Sequence, residues 1–287
     1  MHVPLHSVML KTMLLSVILC LIAVCELSDG SATNEVGSPL KPRIIGGRNA
    51  TQNEFPFVVA VLNRGGLLCT GTIMSRRFIL TAGHCVVNKT RDDITVKAGF
   101  YIWKDPNAVF RKVQYMRVHP QYRIHYRRAF DIALLKMTNP LDYNPATQPI
   151  SLPLLHDTLP DETKVKFAGW GTIQLGINPI RPQILQALDG ATISIEDCKV
   201  SWPKLANNTI CFSSGTSTAT PFKDACKGDS GGPLVVNNVQ WGIHAQGSMF
   251  CKGELPIRFI GVSRFTTWIR NTISRDYYRR RRTTAAM

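Results

Sequence analysis

The sequence predicts an all-β protein made of two β-domains and closed by a short C-terminal helix. Three observations carry that expectation. The 21 glycines and 17 prolines mark many turns. Short β-rich runs recur between those turns. A bridge rich in Pro and Asn, from Asn139-Pro140 to Leu152-Pro153, divides the runs into two sets. With 287 residues, 44% of them hydrophobic, the chain can fill one large core or two smaller ones. Its charged fraction of 18% is too low for a disordered or coiled-coil protein.

In the first set the runs are Phe57 to Leu62, Arg77 to Thr81, Ile94 to Ala98 and Ile132 to Leu135. Lys164 to Ala168 and Leu234 to Val236 belong to the second. From Arg264 to Tyr278 the pattern changes. Phe265, Trp268, Ile269, Thr272 and Ile273 recur at helical spacing, which predicts an amphipathic helix over about 264–278. Arg279 to Arg282 then opens a basic tail, residues 279–287.

The N-terminal segment stands apart. Met13 to Cys25 is almost wholly apolar, matches a signal-peptide core, and falls short of the ~20 residues that a membrane span needs. Polar Ser28 to Ala32 follows, so residues 1–30 read as a signal peptide and polar residues 31–43 as an exposed propeptide. Cys20 and Cys25 leave with the signal. Cys69, Cys85, Cys198, Cys211, Cys226 and Cys251 remain, an even set that reads as disulfides in a secreted chain, with 15 possible pairings. Zinc is not expected, because no Cys-x-x-Cys or paired His spacing occurs. Sequons at Asn49, Asn88 and Asn207 fit glycosylation of a secreted protein. The net charge of +15 survives removal of the leader and points to polyanionic partners such as heparin-like glycosaminoglycans or granule material. Arg127, Arg128 and Arg279 to Arg282 would form such a site.

Three local signatures carry chemistry. Thr81 to Cys85 places His84 beside a cysteine. Asp131 to Leu135 starts a strand with a carboxylate. Gly228 to Pro233 sets Ser230 among glycines. A serine hydroxyl is a poor nucleophile at neutral pH. It needs a base to take its proton, and the base needs a carboxylate to fix its tautomer. Glycines leave backbone N–H groups free to approach a developing oxyanion.

With Ile44-Ile45-Gly46-Gly47 after Arg43, these motifs make the chain resemble the trypsin–chymotrypsin family of secreted serine proteases, from Ile44 to about Ile273. The order His, Asp, Ser also fits that family. The resemblance implies two antiparallel six-stranded β-barrels, the first over about 44–145 and the second over about 155–263, within a protease domain of residues 44–275. It implies His84 as general base, Asp131 as its orienting carboxylate, Ser230 as nucleophile, and the N–H groups of Gly228 and Ser230 as oxyanion hole. Cleavage of Arg43–Ile44 by an activating protease would free an ammonium on Ile44 to pair with Asp229. The disulfides implied are Cys69–Cys85, Cys198–Cys211 and Cys226–Cys251. Val165 and Val236 stand where the family often has a further bridge.

Protein or peptide substrates, and inhibitors of the serpin type, are implied in the same way. Asp224 would lie at the base of the specificity pocket and favour Arg or Lys before the cut bond. Gly247 would pair with the substrate backbone. The pocket departs from the family pattern at Ala245, Gln246 and Ile257, and Ile257 is expected to narrow it. No calcium or other cofactor is expected, since Phe100 follows Gly99 where a liganding glutamate would stand. A cationic, polyanion-binding homologue with little catalysis is the alternative reading.

Overall fold

The computed structural model describes residues 47–122, 129–173, 180–215, 224–246, 251 and 255–284. They form two closed antiparallel barrels. The first joins β2 (Val58–Asn63), β3 (Gly66–Ser75), β4 (Phe78–Thr81), β5 (Ile94–Ala98), β6 (Val109–Val118) and β7 (Ala133–Met137) in the order β2-β3-β4-β7-β6-β5. The second joins β8 (Lys164–Gly169), β9 (Gln186–Ile193), β10 (Thr209–Ser213), β11 (Pro233–Val236), β12 (Val239–Gln246) and β13 (Ile257–Gly261) in the order β9-β10-β13-β12-β11-β8, closed by β8 on β9. Full closure leaves neither barrel with a bare edge.

Two expected boundaries move. β1 (Arg48–Asn49), assigned from sequence to the first barrel, pairs instead with the start of β9 in the second. Its charge explains this: Arg48 Nε donates to Asp189 of β9 at 2.7 Å, and its Nη2 to Glu54 at 2.6 Å. That partner holds the Glu54 carboxyl down at about 2. The C-terminal helix also differs. α2 (Thr266–Thr284), entered through a 3-10 turn at Ser263–Phe265, continues past 278 through the four arginines. No Gly or Pro interrupts it, and arginine is a good helix former.

Packing follows the predicted stripe of α2. Phe265 and Ile269 are buried in the first barrel's apolar cluster, with Trp268 and Ile273 packed on it. His119 stacks on Phe130 and meets Phe265 and Trp268 at 5.3 and 5.0 Å. The ammonium of Lys136 on β7 pairs with Asp276 on the same helix, both little exposed. α1 (Ile195–Ser201) is short and capped by Ser194, whose hydroxyl accepts from Asp197 N. Val165 and Val236 share the second barrel's cluster with Phe167 and Leu234, so apolar contact fills the place of the extra bridge.

Candidate active site

The His84 wall comes from β4 and the turn that follows it. Gly83–Cys85 forms one 3-10 turn, and the Cys69–Cys85 disulfide ties that turn back to β3. Asp131 lies two residues before β7, the neighbour of β4, so the two side chains meet. The Asp131 carboxylate accepts from His84 N and His84 Nδ1, each at 2.7 Å. A carboxylate only accepts, so the proton of a neutral ring sits on Nδ1 and Nε2 is left as a base. Asp131 is fully buried, while the imidazole is 24% exposed and so open to a substrate.

Ser230 sits in a tight turn before β11. Asp229 N donates to Cys226 O at 3.0 Å, and Gly232 N to Asp229 O at 2.9 Å. Gly228 has φ +105°, a conformation that side-chain-bearing residues rarely adopt. Among the described residues neither Gly228 N nor Ser230 N has a backbone partner. Cys85 Sγ lies 3.8 Å from His84 Nε2 and 3.9 Å from Ser230 O, which brings the two walls together. No hydrogen bond joins the Ser230 hydroxyl to His84 among the described residues, and without a bound substrate that contact is often loose.

Asp229 points away from this surface into the second barrel. Gly171 N donates to its Oδ1 at 2.7 Å and Cys226 N to its Oδ2 at 2.8 Å. A Cβ on residue 171 would fall 2.2 Å from the carboxylate, so glycine is what lets the chain approach. Complete burial pushes the Asp229 carboxyl up to about 7, and nearby Asp224 adds to this against the two backbone bonds.

Two further groups at the site carry no local signal in the sequence. Thr70 is wholly buried and bonds to Gly228 and to Trp170. His244 lies under the same turn, with its ring 5.4 Å from Phe167 and 5.6 Å from Phe259. Burial, reinforced by the nearby His84 imidazole, pushes its imidazole down to about 3. The unfolded chain binds a proton at this residue below its ordinary 6.5, whereas the fold does not until about 3. Stability present above pH 6.5 is therefore lost as pH falls towards 3. The stability of the wild type relative to His244→Leu is expected to fall by about 1.4 kcal/mol per pH unit from roughly pH 6 to 4, read by urea unfolding. A difference that stays constant with pH would contradict this.

At the candidate specificity pocket, Asp224 is fully buried and Ala225 and Cys226 nearly so. The Cys226–Cys251 disulfide braces this segment, and Cys198–Cys211 holds α1 to β10. Ile257 pairs with Phe212 and shares an apolar cluster with Ala225, so its side chain packs beside the segment that carries Asp224. Ala245 is buried on β12 and Gln246 ends that strand opposite Arg258. Arg43, Ile44, Arg127, Arg128 and Gly247 lie outside the described residues, as do the side chains of Arg279 to Arg282.

Cys69, His84 and Cys85 are the one group among the described residues with metal-ligand spacing, but the disulfide consumes both sulfurs. In the loop after β5 the interior is held by an ammonium. Lys97 Nζ lies 4.2 Å from the Phe100 ring and 4.7 Å from that of Trp103, and donates to Trp103 O. A cavity of about 970 Å³ opens elsewhere, over Phe55 and Phe57, which lead into β2, and Val165 and Val235 of the second barrel. Asn49, Asn88 and Asn207 are all exposed. No helix among the described residues is long and apolar enough to cross a membrane.

The family model described as Trypsin matches residues 44–269. Chymotrypsin-2 of Vespa crabro is 34% identical over 227 residues, covering 79% of this chain and 98% of that protein. Trypsin of Phaedon cochleariae is 28% identical over 252 residues, or 86% of this chain and 95% of that one. Kallikrein 1-related peptidase b27 of Mus musculus is 29% identical over 256 residues, with coverage of 84% and 94%.

Proposed function

The chain belongs to the trypsin–chymotrypsin family of serine endopeptidases, and from that premise we propose that His84, Asp131 and Ser230 are its catalytic triad, that it is secreted as a zymogen, and that it prefers basic residues before the cut bond. The observation that carries the reading is the Asp131–His84 pair, which leaves Nε2 as the free base, on the side of Cys85 Sγ that also faces Ser230 O.

Ser230 Oγ attacks the peptide carbonyl as His84 Nε2 takes its proton. The negative oxygen that forms is met by Gly228 N–H and Ser230 N–H. His84 returns the proton to the departing amine, leaving an acyl ester on Ser230. Water, deprotonated by the same imidazole, then releases the acid and restores the serine. Asp131 stabilises the imidazolium in both halves.

Residues 1–30 direct secretion and residues 31–43 keep the chain inactive until Arg43–Ile44 is cut by a protease that recognises a basic residue. Because no cysteine lies in residues 31–43, the propeptide is released. Asp224 supports the basic preference: a fully buried carboxylate favours a cationic partner, and Ile257 limits the length that reaches it. The basic surface suits a polyanion as a second partner.

Cleaved protein assayed on fluorogenic peptide amides that differ only before the scissile bond tests the preference. Arg and Lys are expected to lead, and Asp224→Ala to lower kcat/KM for them by at least about 30-fold. A preference for apolar residues, unaffected by Asp224→Ala, would overturn the assignment of the pocket.

A further inference from the structure

We infer that Thr70 is a positioning residue for the oxyanion hole. It stands on β3 of the first barrel, directly after Cys69, and is wholly buried. All of its polar atoms are engaged, two of them at the active-site turn. Its hydroxyl donates to Gly228 O at 2.9 Å and accepts from Trp170 N at 3.3 Å. Its backbone N donates to Ser230 O at 2.8 Å, and its carbonyl accepts from the Thr81 hydroxyl at 2.8 Å. One side chain of the first barrel thus ties down two loops of the second: the one that carries the candidate oxyanion donors and the Trp170-Gly171 segment that holds Asp229.

Geometry gives the hydroxyl its effect. Gly228 sits at φ +105°, where glycine moves freely, and this freedom would let the 228–229 peptide rotate. A hydrogen bond to Gly228 O fixes that peptide. Because the carbonyl of Ser230 is held by the same residue, both ends of the turn are fixed relative to β3, and with them the backbone that carries the N–H groups of Gly228 and Ser230. Oxyanion donors act only when aimed at the place where charge develops, so misaligning them lowers the rate of the chemical step while substrate binding is retained.

The inference rests on the proposed catalytic roles, and the test separates the two. Thr70→Val, Thr70→Ser and Thr72→Val are compared in cleaved protein, on the peptide amide that the wild type hydrolyses fastest. Thr72 is the structural comparator: it is equally buried on the same strand, and its hydroxyl bonds Gln240 of the second barrel at 2.7 Å without touching the turn. Thr70→Val is expected to lower kcat about tenfold with KM within about twofold. Thr70→Ser is expected to restore kcat, and Thr72→Val to lower thermal stability while leaving kcat unchanged. Equal kcat in Thr70→Val and the wild type would overturn the inference alone. So would an equal fall in Thr72→Val, since the effect would then be general loosening between barrels. A folded, cleaved wild type without hydrolysis would overturn the catalytic reading and this inference with it.

Discussion

Cleaving Arg43–Ile44 is expected to raise kcat/KM by about a thousandfold, and Asp229→Asn is expected to cancel the rise. The size follows from the state of Asp229 before a cation reaches it. Its carboxyl ordinarily titrates at 3.8, and burial moves it up to about 7. A folded pKa raised in this way disfavours the charged form. The fold therefore bears no cost below about pH 4, a growing cost between about pH 4 and 7, and a cost of about 4 kcal/mol above pH 7. An ammonium delivered to the carboxylate removes that cost, and about 4 kcal/mol corresponds to roughly a thousandfold change in the population of the ordered site.

Asparagine cannot replace the carboxylate. Asp229 accepts from Gly171 N with one oxygen and from Cys226 N with the other, and an amide nitrogen would face one of those donors. The check is kcat/KM before and after cleavage, in wild type and variant. Comparable activity of uncleaved protein, or full activity of cleaved Asp229→Asn, would contradict the switch.

Asp131→Asn is expected to lower kcat by about 10⁴-fold with little change in KM. Both carboxylate oxygens accept from His84, one from the backbone N and one from Nδ1. An asparagine can accept only one of these. The oxygen would satisfy the fixed backbone N–H, and the amide nitrogen would face the ring as a donor. That turns Nδ1 into an acceptor and moves the ring proton to Nε2, where it faces the serine. The imidazole would then no longer act as a base at neutral pH. Steady-state kinetics on the same amide substrate decide it, and a loss below about tenfold would mean that the carboxylate does not set the tautomer.

Much of the architecture can be read from the sequence where the signal is local. β5 and β8 coincide with the runs Ile94 to Ala98 and Lys164 to Ala168 to within one residue, because alternation and β-branched residues mark them directly. The α2 stripe is legible for the same reason, and its end was not, since a run of arginines has no stop signal. β1 went to the other barrel because its partner, Asp189, is 141 residues away. The short α1 carries a local mark, Ser194 followed by Asp197, that a search for longer periodic stretches passes over.

The candidate site divides along the same line. His84 and Ser230 stand inside motifs, and their residue types announce the chemistry. Thr70 does not: a threonine after a cysteine is ordinary, and its importance arises only when Gly228, 158 positions on, folds against it. His244 sits in no motif, and only closure of the second barrel reveals an imidazole set between Phe167 and Phe259. The place of Ile257 after Pro256 raises the expectation of a narrowed pocket, but its packing in the cluster of Ala225 emerges only when β13 registers with β10.

The most direct measurement is labelling by a fluorophosphonate probe before and after cleavage at Arg43–Ile44, with Ser230→Ala as the control. The probe reports a serine made nucleophilic by its base and an oxyanion hole that accepts a tetrahedral adduct, whatever the substrate. Strong labelling of cleaved wild type, faint labelling of the precursor and none of Ser230→Ala is the predicted result. Cleaved, folded protein that takes up no probe would contradict the assignment of His84, Asp131 and Ser230 as a working triad.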